Sequence, residues 1–280
     1  QRQMCIRDRH WSSQLRPDVG VLLNLAEDHL DWHGSFDAYA QAKAKVLDGQ
    51  AAVVGKDDAA AVRYAENTAN LYGFTAVEPA EGEVGVSAGR LLSRLTQERE
   101  DLASAEGIEP AGLAGVLDAA AAASVARLAG ASPRSIAQGL AAYTVAGHRG
   151  AVIHEHSGIS FIDNSKATNP HAADAALKGL NSVVWIAGGQ LKGAEVDGLV
   201  AKHAAQIKAA VVLGADRQEI AQALAEHAPH APVDVIESND PAAAMNAAVD
   251  AALQHAEAGD TVLLAPAAAS LDMYTGMAQR

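Results

Sequence analysis

The sequence has little that could cross-link, span a membrane or grip nucleic acid. One cysteine, Cys5, in 280 residues excludes an internal disulfide, and no cysteine cluster points to zinc. Aromatic residues are only 4% of the chain while alanine is abundant, which points to many helices with small side chains. No apolar run reaches the roughly eighteen residues of a transmembrane helix. No secretory signal is visible, so a cytoplasmic protein without membrane insertion is expected. Positive charge is scarce: 21 Lys and Arg stand against 34 Asp and Glu, a net charge of −13. That excludes a broad nucleic-acid face and leaves room only for a local cationic site.

A phosphate-binding P-loop is also missing. The nearest approach, Gly49 to Lys56, has five residues between its glycines where four are needed, and Asp57 stands where Ser or Thr must hold Mg²⁺. Residues 1–16 show no periodicity and do not begin with Met; they read as non-native or disordered and are set aside.

What remains is long enough for two domains. A junction is expected at Val145–Gly150, which gives a first domain over 17–146 and a second over 147–280. In the first, Val19–Leu25 reads as a buried strand. A polar cluster follows at its C-terminal end: Asn24, Glu27, Asp28, His29, Asp31 and His33. Ser35 caps a helix to about Leu47 that carries Lys43 and Lys45. Asp28 and His29 suit a divalent cation or, equally, a solvated acidic loop. Ala51–Val54 and Leu71–Phe74 read as strands, Asp57–Glu66 and Leu113–Leu128 as helices, and Ser132-Pro133 opens a helix to about Tyr143.

In the second domain, Val152–Glu155 and Ile159–Ile162 form a hairpin around Ser157-Gly158. Strands at 182–187, 210–213, 233–236 and 261–265 then alternate with helices at 195–207, 216–227 and 240–255. The alternation reads as a doubly wound, mostly parallel sheet. Three strand ends carry chemistry. Phe161–Pro170 places Asp163, Asn164, Ser165, Lys166 and Thr168 on a turn into a helix to Leu180, with Asn169 as cap. Gly188–Gly193 offers flexible backbone and one cation, Lys192. Pro266–Asp272 contains Ser270, positioned to start a helix. Loops at the C-terminal ends of parallel strands converge on one edge, where anionic ligands bind.

EDHLDWHG followed by YAQAK, the pair His148-Arg149, and the SKATN, GGQLKG and APAAASLD loops together resemble the Mur ligases, the ATP-dependent amide ligases of peptidoglycan synthesis. The resemblance covers residues 17–280. It implies the later part of a central ATPase domain followed by a Rossmann-like amino-acid-binding domain, and a role in cell-wall building, cell shape and division. His29 and Lys43, the latter as a carbamate, would ligate Mg²⁺; with Lys166 they form the catalytic set. Arg149, Asn164, Lys166 and Asp118 would face ATP. Thr168, Lys192, Ser270 and Leu271 would hold D-glutamate. These loops match the branch of the family that joins D-glutamate to UDP-N-acetylmuramoyl-L-alanine through an acyl phosphate, and a monomer is expected.

The sequence departs from the family pattern at three points. Asn164 directly precedes Ser-Lys with Asp163 one residue earlier. Gly115 and Asp118 replace asparagines on the Leu113–Leu128 helix. Met277 stands where an aromatic is usual. The 280 residues alone are expected to lack ligase activity. A folylpolyglutamate synthetase-like ligase and a non-catalytic nucleotide-binding module are the alternatives.

Overall fold

A computed structural model describes residues 16–27, 30–110, 112–276 and 279, with Leu30 and Asp31 as backbone only. The described chain forms two compact units. One comprises the residues up to Glu109 with Gly115–Tyr143; the other comprises Pro110–Ala114 with Thr144 onward.

The first unit is built on a six-stranded sheet in chain order: β1 (Val19–Leu22), β2 (Ala51–Gly55), β3 (Leu71–Phe74), β4 (Glu83–Ser87), β5 (Arg90–Ser93) and β6 (Glu100–Ser104). β1 to β4 pair in parallel, and β4, β5 and β6 are antiparallel. Alternate residues of β2 serve two cores. Val53 packs with Phe74, Leu91 and Ala120, while Ala52 and Val54 pack with Tyr39, Leu47 and Ala61. The helices of this unit are α1 (Leu30–His33), α2 (Phe36–Ala44), α3 (Ala59–Ala65), α4 (Leu113–Leu128) and α5 (Pro133–Ala141). α2 and α3 contribute to one core, α4 and α5 to the other.

The second unit is a six-stranded sheet in the order β11-β10-β9-β12-β8-β7. Its strands are β7 (Ala151–His156), β8 (Ile159–Asp163), β9 (Val183–Gly188), β10 (Ile207–Leu213), β11 (Val233–Val235) and β12 (Thr261–Leu264). All neighbours pair in parallel except the edge hairpin β7–β8. Its helices are α6 (Pro170–Leu177), α7 (Asp197–His203), α8 (Arg217–His227) and α9 (Pro241–His255). In β9, Val183, Trp185 and Ala187 pack with Leu177, Val200 and Leu224 from α6, α7 and α8, whereas Val184 and Ile186 pack with Ala244, Ala248 and Ala252 of α9. A sheet buried on both faces needs apolar residues at successive positions, which is why its strands read as continuous runs. α9 lies on the opposite face because the chain reverses direction across the sheet between β11 and β12, and right-handed crossovers then demand the other side.

Several elements end earlier than the sequence suggests. β1 stops at Leu22, not Leu25. The Ser35-capped helix is α-helical only to Ala44, then 3₁₀ to Leu47. α6 ends at Leu177 because Lys178 turns extended and Gly179 adopts φ 83°. The helix expected over 195–207 is α7 plus a 3₁₀ turn, Ala204–Gln206, and Ile207 already belongs to β10. Ser270 starts no helix: its carbonyl accepts from Met273 N–H at 3.3 Å and Tyr274 N–H at 2.9 Å, one turn only. The segment 78–105 contains an antiparallel three-stranded ribbon.

Asp174 ties α6 to α7. Its carboxylate lies 2.7 Å from Lys202 Nζ and 2.7 Å from His203 Nε2, and 3.2 Å from Lys178 Nζ. Burial alone would raise its pKa, but hydrogen bonds from Lys202 and His203 and the charge of Lys178 bring it down to about 2. The folded value lies below the unfolded one of about 3.9. The cluster therefore stabilises fully above that value, by roughly 2 kcal/mol, and the gain is lost as pH falls from about 4 to 2. Asp174→Asn should lower the melting temperature by roughly 4–8 °C at pH 7, with the deficit roughly halved at pH 3. Thermal melts showing the same deficit at both pH values would refute this account.

Candidate functional site

Because β8, β9, β10 and β12 run in parallel, the segments after them share one edge of the second unit. Backbone hydrogen bonds join those segments directly. Asn164 N–H donates to Leu264 O at 2.8 Å, and Ala267 N–H to Ala167 O at 2.9 Å, which ties the SKATN turn to the loop after β12. Gln190 and Ala269 exchange two bonds of 2.8 Å, and Gly188 N–H donates to Pro266 O at 2.8 Å, which ties the loop after β9 to the same loop. The three loops singled out in the sequence are thus brought together.

The first turn is held from below by a histidine. His148 Nδ1 lies 2.7 Å from Asp163 Oδ2 and 3.1 Å from Ser165 Oγ, Ser165 N–H donates to Asp163 Oδ1 at 2.9 Å, and Lys166 N–H donates to His148 O at 3.1 Å. His148 itself adopts φ 68°, a strained conformation for a side chain-bearing residue. The arrangement ties the backbone at Lys166 to that at His148 and engages the Asp163 carboxylate internally. Asn164 is held through its backbone, and Asn169 Oδ1 caps α6 by accepting from Ala172 N–H at 2.8 Å. Thr168 is half-buried at the entrance to that helix.

Lys192 sits at φ 56° on the exposed tip of the second loop. Ser270 is buried at 3% exposure, and Leu271 beside it is 62% exposed. Arg149, Lys166 and Lys192 make no ion pair among the described residues. The carboxylates at this edge, by contrast, are engaged by backbone N–H groups: Asp216 by Leu191 at 2.7 Å, Asp272 by Ala215 at 2.8 Å. The edge therefore offers uncommitted cations and committed acids, chemistry suited to an anionic ligand. Asp216 and Asp272 escaped the sequence reading. The signal was present: Gly214-Ala215-Asp216 follows a fourth parallel strand and so belongs to the same edge.

The other expected residues fall in the first unit. Lys43 lies in the last turn of α2, half-buried, with Nζ 4.8 Å from the Tyr39 ring centroid. Asp118 is exposed on α4. His29, together with Asp28 and Met277, lies outside the described residues. The rejected P-loop position is structural: Asp57 accepts from Thr75 Oγ1 at 2.9 Å and Ala76 N–H at 2.8 Å.

Two family models match the chain: the Mur ligase middle domain over residues 4–89, and the Mur ligase glutamate ligase domain over residues 148–268. A UDP-N-acetylmuramoylalanine–D-glutamate ligase from Corynebacterium efficiens is 57% identical over 273 residues; the alignment covers 97% of this chain and 58% of that protein. The chain thus spans little more than half the length of such a relative. Among solved structures, a MurF from Acinetobacter baumannii superposes with a TM-score of 0.63 at 19% identity, covering 90% of this chain and 57% of that one. A Mycobacterium tuberculosis folylpolyglutamate synthase complexed with ADP and AMPPCP gives 0.61 at 17% identity, covering 91% and 62%. At such identities these two likenesses speak for the fold alone.

Gly214 is the point where three of these loops press together. It adopts φ 85°, and a Cβ there would lie 2.6 Å from both Asp272 Oδ2 and Gly189 N. Gly214→Ala should therefore open the edge, displacing the Gly189 and Asp272 segments while leaving the sheet paired. Amide exchange should rise by about tenfold or more at Gly188–Leu191 and Ala269–Asp272. Unchanged protection there would show that the loops do not depend on this contact.

Proposed function

The chain belongs to the Mur ligase family, and we propose that it carries the metal-side lysine and the amino-acid-binding edge of a ligase that joins D-glutamate to UDP-N-acetylmuramoyl-L-alanine in peptidoglycan synthesis. One observation carries the reading. Three loops from separate βα units are hydrogen-bonded into one edge, where Arg149, Lys166 and Lys192 are free of ion pairs among the described residues and a buried Ser270 precedes the exposed Leu271. The 57% identity to a named D-glutamate ligase supports the choice of amino acid.

The chemistry follows from the substrates. A carboxylate is a poor electrophile, so it must gain a leaving group. The γ-phosphoryl of ATP passes to the L-alanyl carboxylate, giving an acyl phosphate and ADP. The D-glutamate amine attacks the acyl carbon, phosphate departs with the C–O bond electrons, and the nitrogen loses a proton. In this scheme Lys192, Thr168 and Ser270 orient the dicarboxylate, with Leu271 covering it. Lys166 and Arg149 offset phosphate charge that would otherwise repel the substrate carboxylate. The family resemblance assigns Asn164 and, independently, Asp118 to contacts with ATP.

The donor set fits a hard divalent cation in one protonation and modification state only. Lys43 as an ammonium favours the face of Tyr39 and repels a metal. As a carbamate the same stem offers an anionic oxygen, which with the His29 imidazole suits Mg²⁺. Bound there, Mg²⁺ would screen triphosphate charge. The dependence on ATP assigns the reaction to the cytoplasm.

The test uses the ligase at the full length of its relatives. D-glutamate, and not L-glutamate, should support ADP release with UDP-N-acetylmuramoyl-L-alanine. His29→Ala and Lys43→Ala should each lower kcat by at least about 100-fold. Preference for L-glutamate would move the assignment toward a folylpolyglutamate synthase-like ligase. Near-normal turnover in both variants would remove the metal assignment.

A further inference from the structure

The segment after β10, Gly214-Ala215-Asp216, carries none of the residues assigned above, yet it holds the loop that carries Lys192. Asp216 makes two bonds to that loop. Its N–H donates to Gly189 O at 2.9 Å, and its Oδ2 accepts from Leu191 N–H at 2.7 Å. The residue between, Gln190, exchanges two backbone bonds with Ala269, one residue before Ser270. The tripeptide Gly189–Leu191 is therefore gripped by Asp216 and by the Ser270 loop. Lys192, the next residue, starts from that fixed point at φ 56°.

Asp216 is the N-cap of the eleven-residue helix α8, yet its side chain makes no capping bond. An N-cap aspartate with extended backbone accepts from the second or third helical N–H. Asp58, Asn169 and Asp240 cap their helices from extended backbone, whereas Asp216, at φ −100° and ψ 24°, does not turn its side chain onto α8. Asp216 instead serves the neighbouring loop. Asp272 holds Ala215 N–H at 2.8 Å, which fixes the segment from the Ser270 side as well.

The geometry points to Asp216 as the positioning residue of Lys192, setting the distance between that cation and Ser270 and hence the fit of the amino-acid substrate. The inference rests on the D-glutamate reading for the identity of the ligand, but not for the clamp itself. What the clamp needs from residue 216 is an acceptor of the right reach, not a charge. Asn supplies the same oxygen. Ser is too short to reach Leu191.

Two measurements decide it. In this chain, the Leu191 amide should stay protected from exchange in wild type and Asp216→Asn, and lose about tenfold or more protection in Asp216→Ser, which removes no capping bond from α8 because wild type has none. In the ligase at its relatives' full length, Asp216→Ser should raise the D-glutamate KM by about tenfold or more with the ATP KM unchanged. Asp216→Asn should restore it to within about twofold. Unchanged Leu191 protection in Asp216→Ser, or an equal rise in both KM values, would overturn the proposal. A wild-type ligase indifferent to D-glutamate would instead remove the functional reading, and the exchange result would still decide whether Asp216 holds the loop.

Discussion

The insertion of β12 between β8 and β9 is the constraint on which the second unit depends. Leu264 lies opposite both Asp163, the last residue of β8, and Ile186, two residues before the end of β9, although these strands lie about eighty to a hundred residues earlier in the chain. That register delivers Pro266–Asp272 between the SKATN turn and the Gly188–Gly193 loop, within backbone hydrogen-bonding distance of both. Trp185, wholly buried at the centre of the sheet, adds a side-chain bond from its indole N–H to Ala265 O at 2.8 Å, just where the strand gives way to the loop. A slip of one residue in β12 would reverse which side chains enter which core and would separate the loops.

Charge at this edge is divided by role. Asp163, Asp216 and Asp272 are bonded to backbone N–H groups or to His148, and each of those bonds fixes a loop. The basic residues Arg149, Lys166 and Lys192 have no such duty among the described residues. In a chain with net charge −13, three basic side chains free to turn toward a ligand, beside acids held in place, are the feature of this edge that suits an anion.

The first unit contributes in a different manner. Its sheet is parallel for four strands and then turns antiparallel, and its two cores are filled by small residues such as Ala40, Ala52, Ala61, Ala120 and Ala123. Packing of that kind lets helices approach a sheet closely. Lys43 is placed by this packing: α2 buries Tyr39 and Ala40 and leaves the lysine half-buried over the tyrosine ring. Asp57, which the spacing argument removed from any phosphate role, is explained as an anchor for the turn at Thr75-Ala76.

The sequence by itself determined the class of the second unit, the Leu113–Leu128 helix to the residue, and the three loops at one edge. Those features rest on local signals: apolar runs, Pro after Asn, Ser or Asp at helix starts, Ser157-Gly158 in the hairpin. Only the tertiary structure decided the rest. The ends of β1 and α6 were set by where partner strands and positive-φ glycines lay, not by propensity. The failure of Ser270 to start a helix follows from Ala269 being paired to Gln190, a contact across 79 residues of chain. The roles of His148 and Asp216 were invisible for the same reason: each acts on a segment distant in sequence, and a hydrogen-bond partner is defined by proximity, which composition and spacing do not carry.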